Sequence, residues 1–444
     1  MTAGEIRRRF LILRALRWLP TGLTMPVLVL LLLDRGLTVG QIGLVMAAQG
    51  IVVMLLELPT GGLADTLGRR VVLLAAAGFD LASLSLLVVA DTLPLLVGVF
   101  ALQGIYRALE SGPLDAWYVD AAQAVDPDAD IEGAMAASGV VLGVALAVGT
   151  VAGSGLVVLD PIPALNPLVV PLLVAMILRA VELVSIWQLM VEPGRPRATQ
   201  VVRGLPAVVR ESLRMVRGSH ALMALIAVEL LWGAGMIAFE TFTPLRLEAV
   251  LGDTDAAAAL LGPTSAIAWL VSAGAAAAAP WLARRAGARL AGAAMRVAQG
   301  ITVAGIGLFA GPAGVIVAYV ATMAIHGAAN PIHQGLLHRA VTDPHRRATV
   351  LSANSLTGHL GGAVGAIGLG FLAEATSLTI SMLTAAALLA VAAPLYLIAR
   401  QPPPPDRGTS IVQPRATTAA THHAPRVEWA GRAFDPEAYN AVVW

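Results

Sequence analysis

The 444-residue chain contains no cysteine and no lysine. Without cysteine it can form no disulfide, thiolate nucleophile, iron–sulfur cluster or cysteine-ligated zinc site. Without lysine all 29 cations are arginine, which together with 44 glycines and abundant alanine reads as composition bias rather than chemistry. Charge of either sign is scarce: 13% of residues are Asp, Glu, Lys or Arg, against about 25% in a soluble domain. Hydrophobic residues reach 57%. So little polar surface cannot clothe a soluble core, which excludes a soluble enzyme and a disordered chain and leaves an integral membrane protein. Arg7-Arg8-Arg9 leads into a long apolar stretch with no small-residue cleavage site, so no signal peptide is expected.

What is present is a series of long apolar runs. Crossing a ~30 Å hydrocarbon core takes about 20 apolar residues in a helix. That length predicts twelve spans, near 12–33, 40–60, 71–90, 93–114, 133–158, 166–190, 220–244, 258–282, 290–310, 313–337, 349–372 and 377–399. The runs are too long for barrel strands, so the expected class is an all-α integral membrane protein. Arginine sets the orientation, because cytoplasmic loops carry the positive excess. With an even number of spans, Arg7–Arg9, Arg69, Arg70, Arg284, Arg285, Arg289, Arg339, Arg346, Arg347 and Arg400 share one face, and the opposite loops hold Arg35 and Arg246. Both termini are therefore expected in the cytoplasm, with the chain in the cell's inner (cytoplasmic) membrane.

A basic linker at 191–219 separates a first half, 1–190, from a second, 220–400, and 206–218 has the pattern of an amphipathic helix on the inner face. The halves repeat weakly. Gly112-Pro113 answers Asn330-Pro331, Asp126-Pro127 answers Asp343-Pro344, and Leu67-Gly68-Arg69 has an echo in Ala286-Gly287-Ala288-Arg289. Repeated halves mark secondary transporters. The tail, 401–444, opens on Pro402–Pro405 and reads as disordered and cytoplasmic.

Between spans 2 and 3 the chain reads Gly61-Gly62-Leu63-Ala64-Asp65-Thr66-Leu67-Gly68-Arg69-Arg70-Val71-Val72-Leu73. This resembles the loop signature of the major facilitator superfamily, with Thr66 the one departure, where a basic residue is usual. The resemblance covers about residues 1–400. It implies two pseudo-symmetric six-helix halves, a cavity lined by spans 1, 4, 7 and 10, peripheral spans 3, 6, 9 and 12, and alternating access. It also implies that the motif loop, with Gly61, Asp65, Gly68, Arg69 and Arg70, latches the halves on the cytoplasmic side. Other family marks are degraded: Phe100 stands where the helix-four export signature has arginine, and Val144, after Gly139 and Gly143, stands where the helix-five signature has proline.

An ionisable group at membrane depth costs at least about 2.5–3.5 kcal/mol, so each is a functional candidate. On span 4, Arg107 and Glu110 share a helical face and could pair with each other or act as a proton-gated pair. On span 7, Glu229 and Glu240 have no cation within helical reach, as a proton carrier requires. His326, Asn330 and His333 share one face of span 10, suited to proton relay or to hydrogen bonds between helices. Asp80, Arg179 and Glu182 fall on peripheral spans and are expected to pair structurally, and Glu57 to join the gate. The cavity is expected to be mostly apolar. No metal cluster, cofactor site or nucleophile–base pair emerges, and no nucleotide-binding loop, so neither an enzyme nor an ATP-driven pump is expected. The function expected is proton-coupled export of small amphipathic molecules by a monomer surrounded by lipid, with no nucleic-acid partner. Uptake of a small metabolite and a non-transporting sensor or scaffold are the alternatives.

Overall fold

The computed structural model describes residues 1–192, 217–341 and 347–399, except the side chains at 58, 59, 61, 62, 65 and 347–349. Most of the expected linker helix, the tail, and Asp343-Pro344 lie outside the described residues. Among those described, twelve helical units are long and apolar enough to cross a membrane. Spans 1, 3, 4, 5 and 6 are Ala3–Asp34, Arg69–Val89, Leu93–Val125, Ile131–Leu159 and Pro167–Leu189. Spans 7, 8, 9, 10 and 12 are His220–Leu251, Thr254–Ala286, Ala288–Leu308, Pro312–Ala340 and Leu378–Ile398. Spans 2 and 11 are the helices Val39–Leu67 and Arg347–Ala375.

Several helices outrun the apolar segments that announce them. Span 1 begins at Ala3 rather than near 12, because Thr2 caps it and Glu5 closes a capping box, so the three arginines extend the helix as its polar end. Spans 1, 4 and 7 are each broken. Span 1 breaks at Met25–Val27, span 4 at Ser111-Gly112, and span 7 at Thr241. At the span 4 break Gly112 takes φ +89°, a left-handed conformation that favours glycine, and Pro113 starts the next helix. Its counterpart Asn330-Pro331 lies inside an unbroken helix, so this element of the repeat is preserved in sequence but not in backbone.

The weaker echo is the one that geometry repeats. Gly68 joins spans 2 and 3 at φ +95°, ψ 141°, and Gly287 joins spans 8 and 9 at φ +79°, ψ 136°. The packing repeats as well. In the first half span 1 packs on 5 and 6, and span 4 on 2 and 3; in the second, span 7 packs on 11 and 12, and span 10 on 8 and 9. The halves meet where span 2 lies along span 11 and span 5 along span 8. The two exceptions to the arginine asymmetry also correspond. Arg35 donates to the carbonyls of Leu87, Val88 and Ala90 at the end of span 3, and Arg246 to Phe309 at the end of span 9. Each neutralises carbonyls that a helix end leaves open, which accounts for arginine on the sparsely charged face.

Small residues set the helix separations. A Cβ at Gly149 would meet Leu19 O at 2.7 Å and Gly22 Cα at 2.8 Å, so spans 1 and 5 touch backbone to backbone. Gly361 and Gly365 hold span 11 against Leu230 and Ala234 of span 7 in the same way. Gly149→Leu is therefore expected to lower the melting temperature of the detergent-purified protein strongly, because forced overpacking costs about 1–3 kcal/mol or more. Gly143→Leu, where a Cβ meets nothing within 4 Å, is expected to leave it within a few degrees of wild type.

Candidate functional site

Between the halves lies a cavity of about 510 Å³. It runs from Met46, Thr241 and Ala366 at mid-bundle to Ser111, Gln334 and Leu351, toward the face that carries the motif loop. On the opposite face the halves are closed. There Thr38 Oγ1 donates to Glu374 at 2.9 Å, Ser154 of span 5 donates to the Ala258 carbonyl of span 8, and Gly370 backs onto Val39, Gly40 and Gly43. Among the described residues the cavity opens toward the motif face.

The cavity is far more charged than expected. Glu57, Glu110, Glu229 and Glu240 line it with Arg17, Arg107 and Arg296, which corrects the expectation of an apolar lining. Arg14 and Arg17 lie inside span 1 and Arg296 inside span 9, a peripheral one. The signal that marks all three in the sequence is an arginine inside an apolar run.

In the first half the ion pairs cross between helices. Glu110 pairs with Arg17 of span 1, and Asp115 with Arg14. Arg17, one helix away, reaches the Glu110 carboxylate, and the Arg107 guanidinium, three residues before Glu110 on the same helix, stands 5.8 Å from the Trp18 ring centroid. The two pairs straddle the span 4 break, tying both of its segments to span 1. Asp80, Arg179 and Glu182 do form a structural cluster, with Arg179 Nε 2.6 Å from Asp80 and its Nη1 donating to Glu182 and to the Arg17 carbonyl.

In the second half the span 10 histidines part company. His326 lines the cavity, stacked on Trp232 at 5.5 Å, and Asn330 lines it one turn on. His333 is buried behind the wall, its Nδ1 2.9 Å from the Tyr396 hydroxyl and its Nε2 3.3 Å from both Asn354 Oδ1 and Glu229 Oε2. Arg296, 2% exposed, hydrogen-bonds Gln299 at 2.8 Å and sits 5.6 Å from the Trp232 ring. Glu229 thus belongs to a polar network spanning five helices, and Asn354, Tyr396 and Arg296 are members that periodicity alone does not single out. Glu57 also faces the cavity, accepting from Ser355 at 2.7 Å with His359 Nε2 at 3.7 Å, both on span 11. Glu240 is exposed to the cavity and has no hydrogen bond or ion pair among the described residues.

The motif loop engages the first half. Arg69 pairs with Asp120 of span 4 at 2.6 Å. Arg70 donates its backbone N–H to Glu192 at 2.8 Å and its guanidinium to the Trp187 carbonyl. The side chains at Gly61 and Asp65 lie outside the described residues. Every described partner of Arg69 and Arg70 lies in the first half.

A model of the Major Facilitator Superfamily matches residues 10–366. The chain belongs to the major facilitator superfamily. Membership makes it a transporter rather than an enzyme, a multi-pass membrane protein that moves small molecules. No curated protein sequence matches it. Among solved structures it is similar to a point mutant of the nucleoside transporter NupG, at TM-score 0.75 and 15% identity, covering 89% of this chain and 99% of that one. It is also similar to a bacterial homologue of the human lysosomal transporter Spinster, inward-facing and unoccupied, at TM-score 0.70 and 15% identity, covering 89% and 96%. The human organic anion transporter MFSD10 follows at TM-score 0.56 and 17% identity, covering 89% and 100%. At these identities the likeness is one of fold.

The charges divide in a way that matters for a facilitator. Among the described residues the fully buried ones balance: Arg14, Arg17, Arg179 and Arg296 against Asp80, Glu110, Asp115 and Glu182. The cavity adds three carboxylates, Glu57, Glu229 and Glu240, against one guanidinium, Arg107. Removing one member of a balanced pair exposes the cost. Arg17→Gln is expected to destabilise the protein by about 3–5 kcal/mol by stranding Glu110, and the double change with Glu110→Gln to recover most of it, as melting curves in detergent will show.

Proposed function

We propose that this facilitator is a proton-coupled secondary transporter that exports small amphipathic molecules by alternating access. The observation that carries the reading is the surplus of cavity carboxylates over guanidinium groups. Negative charge at that depth is tolerable when it binds a proton or a cationic group in turn, and exchange between the two is antiport. Glu229 is the proposed proton carrier, because its neighbours His333 and Asn354 can reorganise around either protonation state, while Glu110 is held by Arg17. The aromatic surfaces of Trp18 and Trp232 would take the apolar part of the solute. The arginine asymmetry supports placing the motif face and both termini in the cytoplasm, so the open cavity would load there. In this reading the motif loop, with Asp65 and Arg69, latches the halves when the cavity faces outward.

A second reading, proton-coupled uptake of a polar metabolite, is favoured by one feature: Asn330, Gln334, Ser352 and Asn354 give the lining many hydrogen-bonding groups. Liposomes carrying the purified protein, an imposed pH gradient and a pH dye decide between them. Export predicts that an amphipathic solute collapses an inside-acid gradient, and that an Asp65→Asn variant and empty liposomes do not respond. Solute accumulation driven by an outside-acid gradient would support uptake, and no solute-dependent proton movement in either direction would refute both.

A further inference from the structure

Span 1 carries the arginines Arg7, Arg8, Arg9, Arg14 and Arg17, and the protein itself engages only the last three. Arg14 and Arg17 pair inward with Asp115 and Glu110, and Arg9 donates to the Leu189 carbonyl at 3.0 Å. Arg7 and Arg8 are exposed and form no hydrogen bond or ion pair with any described residue. Glu5, the acidic residue one turn before Arg8, is turned away from it. Its Oε2 accepts from the Thr2 backbone N–H at 3.0 Å and closes the capping box. The helix end thus takes the nearby carboxylate and leaves two guanidinium groups open.

Both of them stand at the mouth of a groove of about 410 Å³ between span 1 and span 5. Its walls are Leu11, Ile12 and Ala15 of span 1 and Val141 of span 5. Arg8, Leu11, Ile12 and Ala15 follow at helical spacing, so they form one stripe, charged at its end and apolar beyond. Ala15 lies two turns past Arg8, which puts the apolar floor about 10 Å deeper in the membrane. Val140, Val144 and Val148 of span 5 are exposed beside the groove, so this side of the bundle meets acyl chains.

We infer that the groove is a binding site for an anionic phospholipid of the motif-face leaflet. Arg7 and Arg8 hold its phosphate, and one acyl chain lies along Leu11, Ile12, Ala15 and Val141. Charge complementarity selects the headgroup, because guanidinium–phosphate bonds are charge-assisted and basic pockets between membrane helices favour acidic headgroups. A zwitterionic headgroup brings its own cation to the two arginines and gains less. The apolar walls select a lipid over a soluble anion, which would leave them uncovered. Arginines that only orient the chain need their charge but no groove. The site lies outside the cavity and is independent of which solute is carried.

The test uses full-length protein purified in detergent and stripped of lipid. It is titrated with phosphatidylglycerol or phosphatidylcholine bearing the same oleoyl chains, and bound lipid is counted by native mass spectrometry. Phosphatidylglycerol should be retained about tenfold more tightly than phosphatidylcholine, and an excess of inorganic phosphate should not displace it. Arg7→Gln together with Arg8→Gln should remove most of that preference. Arg284→Gln with Arg285→Gln, an exposed pair at the end of span 8, should leave it within about twofold of wild type. Ala15→Phe, which fills the apolar floor and keeps both arginines, should weaken phosphatidylglycerol by about tenfold. The two lipids and the phosphate competition are compared on the wild-type protein, so the test stands even where a variant fails to fold. Equal retention of the two lipids, or displacement by phosphate, would overturn the inference. So would equal losses from the span 1 and span 8 pairs, or retention unchanged by Ala15→Phe, either of which would reduce the site to surface attraction.

Discussion

Glu229→Gln is expected to abolish proton-driven solute flux while leaving solute-for-solute exchange across the same liposomes within about threefold of wild type. The amide keeps the size of the carboxyl group and can still hydrogen-bond Asn354, so the C-terminal half should pack as before. What it loses is the capacity to alternate between charged and neutral forms, the step that ties the proton to the conformational cycle. Glu229 lies 3.3 Å from His333 Nε2 at the back of the cavity, in a network running through Asn354 and Tyr396, so its charge state is felt on spans 10, 11 and 12 at once. Coupling that persists in the Gln variant would transfer the role to another cavity carboxylate, Glu57 or Glu240 first, and equal loss of exchange and coupling would mean that Glu229 holds the solute instead.

Arg179→Gln should have the largest structural effect of any single change considered. Arg179, 1% exposed, bridges Asp80, Glu182 and the Arg17 carbonyl. Its loss leaves two carboxylates facing each other away from water. Breaking a buried pair costs about 3–5 kcal/mol, and here two partners are stranded together, so the expected outcome is failure to accumulate in the membrane or a melting temperature lowered by more than ten degrees. The triple change with Asp80→Asn and Glu182→Gln should restore accumulation, because neutral side chains of similar size need no guanidinium. A stable Arg179→Gln single variant would show that the carboxylates are held by protons or water rather than by Arg179.

Much of this architecture was legible in the order of residues. Span number followed from apolar length alone, since a hydrocarbon core imposes a minimum on every crossing helix. The motif loop was equally plain, and the geometry of Gly68 and Gly287 shows that the faint repeat around them was a real echo of structure. What the sequence hid were contacts between helices far apart in the chain. Arg107 and Glu110 are neighbours on one helix, so spacing offers them to each other, yet Glu110 reaches an arginine more than ninety residues earlier. Arg296 lies on a span expected to face outward, but its side chain is long enough to extend inward, over the Trp232 ring and into the cavity lining. His326 and His333 occupy one face of a helix, and seven residues along it one lines the cavity while the other packs against span 12. Periodicity gives a residue's azimuth. Which neighbour occupies that azimuth at that depth is decided by packing.

The central claim is alternating access between two halves that meet along spans 2 and 11 and spans 5 and 8. The absence of cysteine makes a direct test simple, because every introduced thiol is unique. One doubly spin-labelled protein would carry Gln123→Cys and Arg339→Cys, at the motif-face ends of spans 4 and 10, and a second Asp91→Cys and Gly311→Cys at their opposite ends. Pulsed electron–electron distances are then measured in lipid across pH and with saturating solute. The account predicts opposed changes: a population in which the motif-face pair shortens while the far-face pair lengthens. Distances that stay fixed on both faces, or that change together in the same direction, would contradict it.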